Sequence, residues 1–113
     1  TGAQVLQLFE QIASVGGEGL SREVRLVITK DRRLKSALIN GQKVNPNAKY
    51  RIATLDYLAQ GNDKLVAFKH KTNVWSPQAY ENNVRFIIID YFKQQAAKHV
   101  EVDAKIEGRI VVE

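Results

Sequence analysis

Several residue types that often mark function are scarce in this chain of 113 residues, which has no cysteine, no methionine and only two histidines. The absence of cysteine excludes disulfide bonds and thiolate metal sites, and it leaves the redox compartment undetermined. The chain opens on Thr1 and lacks even an initiator methionine. We therefore expect a trimmed or processed fragment.

Long apolar runs are also missing. No stretch approaches the roughly 20 residues that a membrane-spanning helix needs, and no signal-peptide pattern is present. With 44% apolar and 26% charged residues, the composition is that of an ordinary globular domain. A chain of this length can bury one core but not two. We expect a single domain over residues 1–113 and no membrane span.

The net charge of +5 raises the question of a polyanionic partner. The basic residues are scattered along the chain, however, and only Asp31–Lys35 is dense. That stretch has the composition of a turn between strands. A solvated surface is the better interpretation, so we do not expect a nucleic-acid partner.

Apolar periodicity and turn residues predict alternating helices and strands. Thr1 and Gln4 have the spacing of a capping box, and Gly16-Gly17 ends the first helix. Asn40-Gly41 is a two-residue hairpin signal, and Asn45-Pro46-Asn47 fixes a second turn. The predicted helices cover residues 1–15, 55–59 and 77–99, and the predicted strands cover residues 22–30, 34–39, 50–54 and 109–112.

The helix of residues 77–99 is expected to begin at Ser76-Pro77, because serine caps helices and proline suits the first helical position. Its apolar centre, Phe86–Ile89, makes it the expected main cover of the sheet. The predicted fold class is α+β, with a small mixed four-stranded sheet packed with two main helices.

No residue pattern composes an active site. His70 stands between two lysines, and His99 lies at a helix C-terminus, without a second ligand at metal-binding spacing. The serines lack a nucleophile-elbow context, and Gly16–Gly19 follows a helix rather than a strand. We predict no catalytic residue and no metal site in this chain. Aromatic residues could form a ligand platform, but core packing is the more common role; they are Tyr57, Phe68, Trp75 and Tyr80.

Three ordered motifs carry a resemblance to a known family. They are TGAQVLQLFEQ at residues 1–11, INGQKVNPNAKYRIATLDYLAQGND at residues 39–63, and VDAKIEGRIVV at residues 102–112. With these motifs the chain resembles the C-terminal domain of the 5'-nucleotidase family. The resemblance covers nearly the whole chain, and it implies a partial domain that begins after the first segment of the family's C-terminal domain.

The resemblance also implies a division of labour between domains. In the family, an N-terminal metallophosphoesterase domain carries two divalent metal ions, and the C-terminal domain supplies the nucleoside pocket. The metallophosphoesterase domain is absent from these residues, so the expected partner is that domain, in the same chain or in a separate protein. No cofactor is expected in this chain itself. The resemblance further implies an extracytoplasmic location, either periplasmic, secreted or surface-anchored.

In the family, two aromatic side chains hold the nucleobase. Gly19 stands at the first of these positions, and Leu65 stands at the second, where the family has a Gly-Gly-Asp-Gly-aromatic loop. Both clamp aromatics are therefore missing. The resemblance still implies substrate contacts from the two loops that carry these positions; the candidate substrate-binding residues are Glu18, Gly19, Gly61, Asn62, Asp63 and Leu65.

Two functions remain open at this point. The chain is the substrate-side domain of a 5'-nucleotidase-like phosphohydrolase, positioning a nucleotide for a metal-bearing domain. Alternatively, it is a non-catalytic binding or interaction module that kept the fold and lost the nucleobase clamp. Whether it forms part of an enzyme is undecided by the sequence.

Overall fold

The computed structural model describes all 113 residues, Thr1–Glu113. They form two compact units. The first unit consists of residues 1–72 and 107–113, and the second consists of residues 73–106. The first unit carries the sheet and the core, and the second carries one substantial helix.

Helix α1, Gly2–Ser14, supplies the helical side of the core. The predicted capping box is present: the Thr1 hydroxyl accepts from the Gln4 N–H at 3.4 Å, and the Gln4 side chain accepts from the Thr1 amino group at 2.9 Å. One face of the helix is buried against the sheet and loops, as its periodicity predicts. The buried residues are Gly2, Val5, Leu8, Phe9, Ile12 and Ala13.

The start of α1 is fixed by the Asn-Pro turn that the sequence predicts. The Gly2 N–H donates to the Ala48 carbonyl at 2.8 Å, and the Ala3 N–H donates to the Pro46 carbonyl at 3.0 Å. These bonds satisfy donors that the first turn of a helix leaves free. A Cβ on Gly2 would lie 1.8 Å from the Asn45 carbonyl oxygen, so the close approach requires glycine.

The four-stranded mixed sheet confirms the predicted fold class. Its order is β3-β2-β1-β4; β1 pairs with β2 and β2 with β3 in antiparallel fashion, whereas β1 and β4 are parallel. The strands are β1, Val24–Ile28; β2, Leu34–Ile39; β3, Gln42–Lys43; and β4, Ile110–Val112.

The hairpin between β2 and β3 follows from its turn residues. Asn40 and Gly41 have φ angles of +52° and +76°, which is the backbone pattern of a two-residue type I′ turn. The predicted turn is confirmed, whereas β3 itself is an element that the sequence did not predict. At two residues, β3 is too short to show periodicity.

The predicted strand at residues 50–54 is wrong. Residues 49–54 lie outside any helix or strand, and none of their backbone groups is hydrogen bonded. Their apolar–polar alternation suits a strand, but a strand also needs a neighbour that completes its ladder. Only the short helix α2, Asp56–Ala59, follows as predicted.

The second unit contains helix α3, Val84–Ala97, preceded by a 3₁₀ turn at Tyr80–Asn82. The predicted start at Ser76-Pro77 is wrong, because Asn83 is the N-cap: its side-chain oxygen accepts from the Arg85 N–H at 3.0 Å. Asparagine is as good an N-cap as serine, so the sequence offers two starting points for this helix.

The expectation that this helix is the main cover of the sheet stays a prediction, because α3 and the sheet belong to different units. No residue of α3 is buried. Phe86 is half-buried and stacks on Tyr80, and the other large apolar side chains of the helix are 41–51% exposed. Apolar residues occur all round α3 rather than on one stripe, a pattern typical of helices that are covered on several sides. Helix α1 builds the helical side of the core in the first unit. No helix combines the length and the apolar character that a membrane span requires.

Candidate functional site

A cavity of about 400 Å³ opens in the first unit, a volume within the range of small-molecule sites. Its floor is the apolar face of α1, where Val5, Leu8 and Phe9 line it. One wall is the loop of residues 18–21, and another is the segment of residues 50–54. The cavity thus lies where the core is open to one side.

The floor is formed by carbon atoms of core residues. Leu8 and Phe9 are 5% exposed, and Leu65, which also lines the cavity, is 1% exposed. No polar or charged residue of the chain is buried. The buried part of the lining therefore contributes apolar side chains and no polar side chain.

The rim carries one free carboxylate and one free guanidinium. Glu18 and Arg51 both line the cavity, and neither makes a side-chain hydrogen bond or an ion pair. Glu23, by contrast, is engaged with Arg22 at 3.4 Å. The pKa of Glu23 lies below its usual value, chiefly because its own backbone N–H donates to it and then because the Ser21 hydroxyl does.

The structure brings together three of the six predicted substrate-binding residues. Glu18 and Gly19 line the cavity from the loop, and Leu65 lines it from within the core. The remaining three do not line the cavity; they are Gly61, Asn62 and Asp63.

The glycine loop, residues 61–64, is held by contacts to α2. The Asn62 side-chain amide donates to the Tyr57 carbonyl at 2.7 Å, and the Tyr57 hydroxyl donates to the Asp63 carboxylate at 3.2 Å. The negative charge of Asp63 and this hydrogen bond raise the pKa of Tyr57. Asn62 and Asp63 thus shape the loop in this structure.

The glycine loop has an unusual backbone. Gly61, Asp63 and Lys64 have φ angles of +87°, +54° and +64°. Positive φ is costly for residues with a Cβ. Lys64 stands where the family's loop has its last glycine, which explains why this backbone suits the family pattern better than it suits lysine.

The two clamp positions have different surroundings. Leu65 is buried in the core, so its side chain cannot form an exposed stacking surface. Gly19 is exposed, and a Cβ built on it would meet no atom within 4 Å. The first side-chain atom of a larger residue would therefore have room at Gly19.

Three contributors to the cavity are not predicted as site residues by the sequence. The apolar face of α1 forms the floor of the cavity as well as part of the core. Arg51 lies in the predicted strand of residues 50–54, where no pattern marks it as a site residue. Core packing is the predicted role of Phe68; it packs against the core and lines the cavity as well. The same interpretation is wrong for three other aromatic residues, which are 53%, 82% and 68% exposed: Tyr57, Trp75 and Tyr80.

A second, shallower depression of about 510 Å³ includes Arg22 and Arg25. Both side chains are already engaged. Arg25 donates to the Arg22 and Val24 carbonyls, and Arg22 pairs with Glu23. The depression therefore presents no free cationic group for an anion from these two residues.

Metal chemistry has no ligand set in this chain. No group of three or more His, Asp or Glu side chains is placed to hold a metal ion. The divalent metal pair that the resemblance implies does not fit these residues, and it remains a prediction for another domain.

Comparison with known proteins identifies the family. The sequence profile of the 5'-nucleotidase C-terminal domain matches residues 1–70, which is more than half of the 113 residues. The first two motifs lie within this match and the third lies outside it. No curated protein and no solved structure matches the chain. The chain belongs to the 5'-nucleotidase C-terminal domain family.

Proposed function

We propose that this chain is the substrate-side domain of a 5'-nucleotidase-like phosphohydrolase. It holds the organic part of a nucleotide, and an N-terminal metallophosphoesterase domain hydrolyses the phosphate ester. Membership of the family supports this role. The single observation that carries it is the cavity of about 400 Å³ between the loop of residues 18–21 and the segment of residues 50–54.

The chemistry of the cavity suits the two ends of a nucleoside monophosphate. The apolar floor can cover the face of a base, because every base has an apolar π-face. The free Glu18 carboxylate can accept hydrogen bonds from sugar hydroxyls. The free Arg51 guanidinium can pair with a phosphate group at the rim. The metal pair would supply the hydrolytic chemistry from the other domain, to which these residues contribute binding and orientation only.

The missing clamp sets the expected affinity. Stacking of a base on an aromatic side chain contributes about 1–3 kcal/mol. With Gly19 exposed and Leu65 buried, neither clamp position supplies that contribution. We therefore expect weak binding by this chain alone, with a dissociation constant for AMP of about 1 mM.

Restoring one half of the clamp provides the test. Gly19→Phe places an aromatic ring at the cavity wall, where nothing obstructs its Cβ. Calorimetric titration should then show AMP binding strengthened by about 5- to 150-fold, the equivalent of one stacked base. Ser36→Phe, an exposed position on β2 outside the cavity, is the matched control and should leave AMP binding unchanged. An equal affinity of wild type and Gly19→Phe for AMP would contradict the proposal.

The alternative is a non-catalytic binding or interaction module. It is favoured by the occupation of both clamp positions by residues that cannot stack, Gly19 and Leu65. Sequencing the gene upstream of this chain distinguishes the phosphohydrolase domain from the non-catalytic module. Asp, His and Asn metal motifs encoded there support the phosphohydrolase. The same reading tests the proposed extracytoplasmic location, because an export signal would precede those motifs.

A further inference from the structure

The loop that forms one wall of the cavity has few hydrogen bonds of its own. No backbone N–H of residues 18–20 donates a hydrogen bond, and the carbonyl groups of Glu18 and Gly19 accept none. One hydrogen bond holds this stretch: the Leu20 carbonyl accepts from Nη1 of Arg109, which is 89 residues away in the sequence. Apart from the packing of the Leu20 side chain against the core, the position of the wall therefore depends on Arg109.

The Arg109 guanidinium is itself held in place by two partners in the first unit. Its Nε and Nη2 atoms donate to one carboxylate oxygen of Glu107 at 3.1 Å and 2.9 Å. The backbone carbonyl of Arg109 accepts from the Leu26 N–H of β1 at 2.8 Å. Because a guanidinium is planar and rigid, it can hold several acceptors in one fixed geometry. Arg109 thus connects the sheet to the loop.

We infer that Arg109 is a positioning residue for the cavity: it fixes the loop of residues 18–21 against the sheet and thereby sets how tightly the cavity holds its ligand. This inference rests on the proposed function of the cavity as a nucleotide site. Arg109 does not line the cavity, so it acts through the loop and not by touching the ligand. Glu18 and Gly19 belong to the loop and line the cavity, so their placement depends on the same contact.

The start of β4 contains further features that suit this role. Gly108 has a φ angle of +66°, which glycine adopts without strain, and the Glu107 carboxylate and the Arg109 guanidinium pair across it. Ile110 also lies beside the connection between α1 and β1, since a Cβ on Gly17 would be 3.3 Å from its Cδ1 atom. The start of β4 therefore meets this connection at two points.

The first experiment measures the loop without any ligand, by backbone amide relaxation in the full chain. Arg109→Ala should lower the order parameters of Gly19 and Leu20 from about 0.85, typical of rigid backbone, to below about 0.6. Arg33→Ala is the matched control, because it also removes an arginine that pairs with a glutamate in the first unit and lies outside the cavity. It should leave the loop unchanged. Unchanged order parameters in Arg109→Ala overturn the inference.

The second experiment measures binding in the Gly19→Phe background, where affinity for AMP is expected to be high enough for a further loss to be measured. Adding Arg109→Ala should weaken binding of AMP by about 10-fold, the effect of one lost hydrogen bond to a charged group. Adenosine, which carries no phosphate charge, should lose affinity by the same factor. Adding Arg33→Ala, which makes the same change in net charge, should leave both affinities unchanged. A loss for AMP alone overturns positioning, because the charge of Arg109 would then be acting.

A second variant covers the case in which Arg109→Ala does not fold. Arg109→Lys keeps the positive charge and an aliphatic stem, but a lysine ammonium lacks the planar fork that holds Leu20 and Glu107 together. It should lower the order parameters of the loop and the affinity for adenosine, each by less than Arg109→Ala does. Wild-type values for both quantities in a folded Arg109→Lys overturn the inference.

The two experiments distinguish failure of this inference from failure of the proposed function. If neither wild type nor Gly19→Phe binds AMP, the proposed function fails, and the order parameters still decide whether Arg109 fixes the loop. If Gly19→Phe and Gly19→Phe/Arg109→Ala bind AMP and adenosine equally well, the proposed function stands and the inference is overturned. A mobile loop together with equal losses for AMP and adenosine is the result we expect.

Discussion

Helices α1 and α3 are similar in length, yet they relate to their surroundings in opposite ways. α1 has one apolar face and buries it, with Ala13 completely buried and Ile12 only 4% exposed. α3 is apolar on all sides and buries no residue. A one-sided helix needs one neighbouring surface, whereas an all-round apolar helix needs several. Apolar content alone therefore did not tell which helix builds the core; the distribution of apolar residues around the helix did.

The largest effect is expected where α1 meets the Asn-Pro turn. Gly2→Ala places a Cβ 1.8 Å from the Asn45 carbonyl oxygen, which forces the helix start and the turn apart. We expect the free energy of unfolding of the first unit to fall by about 3 kcal/mol or more. Urea denaturation measures the change. Gly19→Ala, whose Cβ meets no atom within 4 Å, is the matched control. Equal denaturation midpoints for the two variants would contradict the tight docking of α1.

A pair of truncations tests the contrast between the two units directly. Leu65→Ala removes a side chain that is 1% exposed, and Ile88→Ala removes one that is 49% exposed. We expect a loss of about 2–5 kcal/mol for Leu65→Ala, the usual range for a buried aliphatic residue. Ile88→Ala should cost less than about 1 kcal/mol, since alanine also favours the helix. Thermal or urea unfolding measures both, and a cost for Ile88→Ala equal to that for Leu65→Ala would show that α3 is covered.

The pH dependence of stability should also differ between the units. In the first unit, Glu10 accepts from the Arg33 side chain and, at 3.0 Å, from the Leu34 N–H. The hydrogen bond from Arg33 is the main reason that the pKa of Glu10 lies below its ordinary value of 4.5. A lowered carboxyl pKa stabilises the fold above the ordinary value, and this stabilisation is lost as the pH falls through the folded-state pKa.

Glu10→Gln should therefore flatten the loss of stability below pH 4.5, as measured by unfolding at a series of pH values. Glu81→Gln, in the second unit, serves as the comparison and should leave the profile of the first unit unchanged. An identical pH profile for wild type and Glu10→Gln would show that the Arg33 contact contributes nothing to stability.

The smallest effect concerns the glycine loop. Lys64 has a φ angle of +64°, which glycine adopts without strain. Lys64→Gly should raise the free energy of unfolding by up to about 1 kcal/mol, because the relief of strain exceeds the added freedom of the unfolded chain. Lys69→Gly, at a position without positive φ, should instead lower it. Destabilisation by Lys64→Gly would mean that the loop backbone differs from the one described.

The sequence predicted the elements whose signals are local. The capping box at Thr1, the hairpin at Asn40-Gly41 and the α+β class all depend on neighbouring residues, and the structure confirms them. The strand at residues 50–54 depends on a neighbouring strand that is distant in sequence, which periodicity cannot supply. That prediction is wrong for this reason.

The residues of the candidate site were likewise predicted only in part. Family resemblance placed Glu18, Gly19 and Leu65 at the site, and all three line the cavity. Arg51 and the α1 floor were missed because a cavity forms between elements that are distant in sequence. The residues that line the cavity are known only when the positions of these elements are known. The periodicity of an apolar helix face does not show which part of that face is left uncovered.

Backbone amide chemical shifts during titration with AMP test the central claim most directly. The account predicts shifts at residues 18–21 and 50–54, which form the two walls of the cavity. It predicts little change at Asn62 and Asp63, which do not line it. Shifts confined to the glycine loop, or no shift at millimolar AMP, would contradict the assignment of this cavity as the nucleotide site.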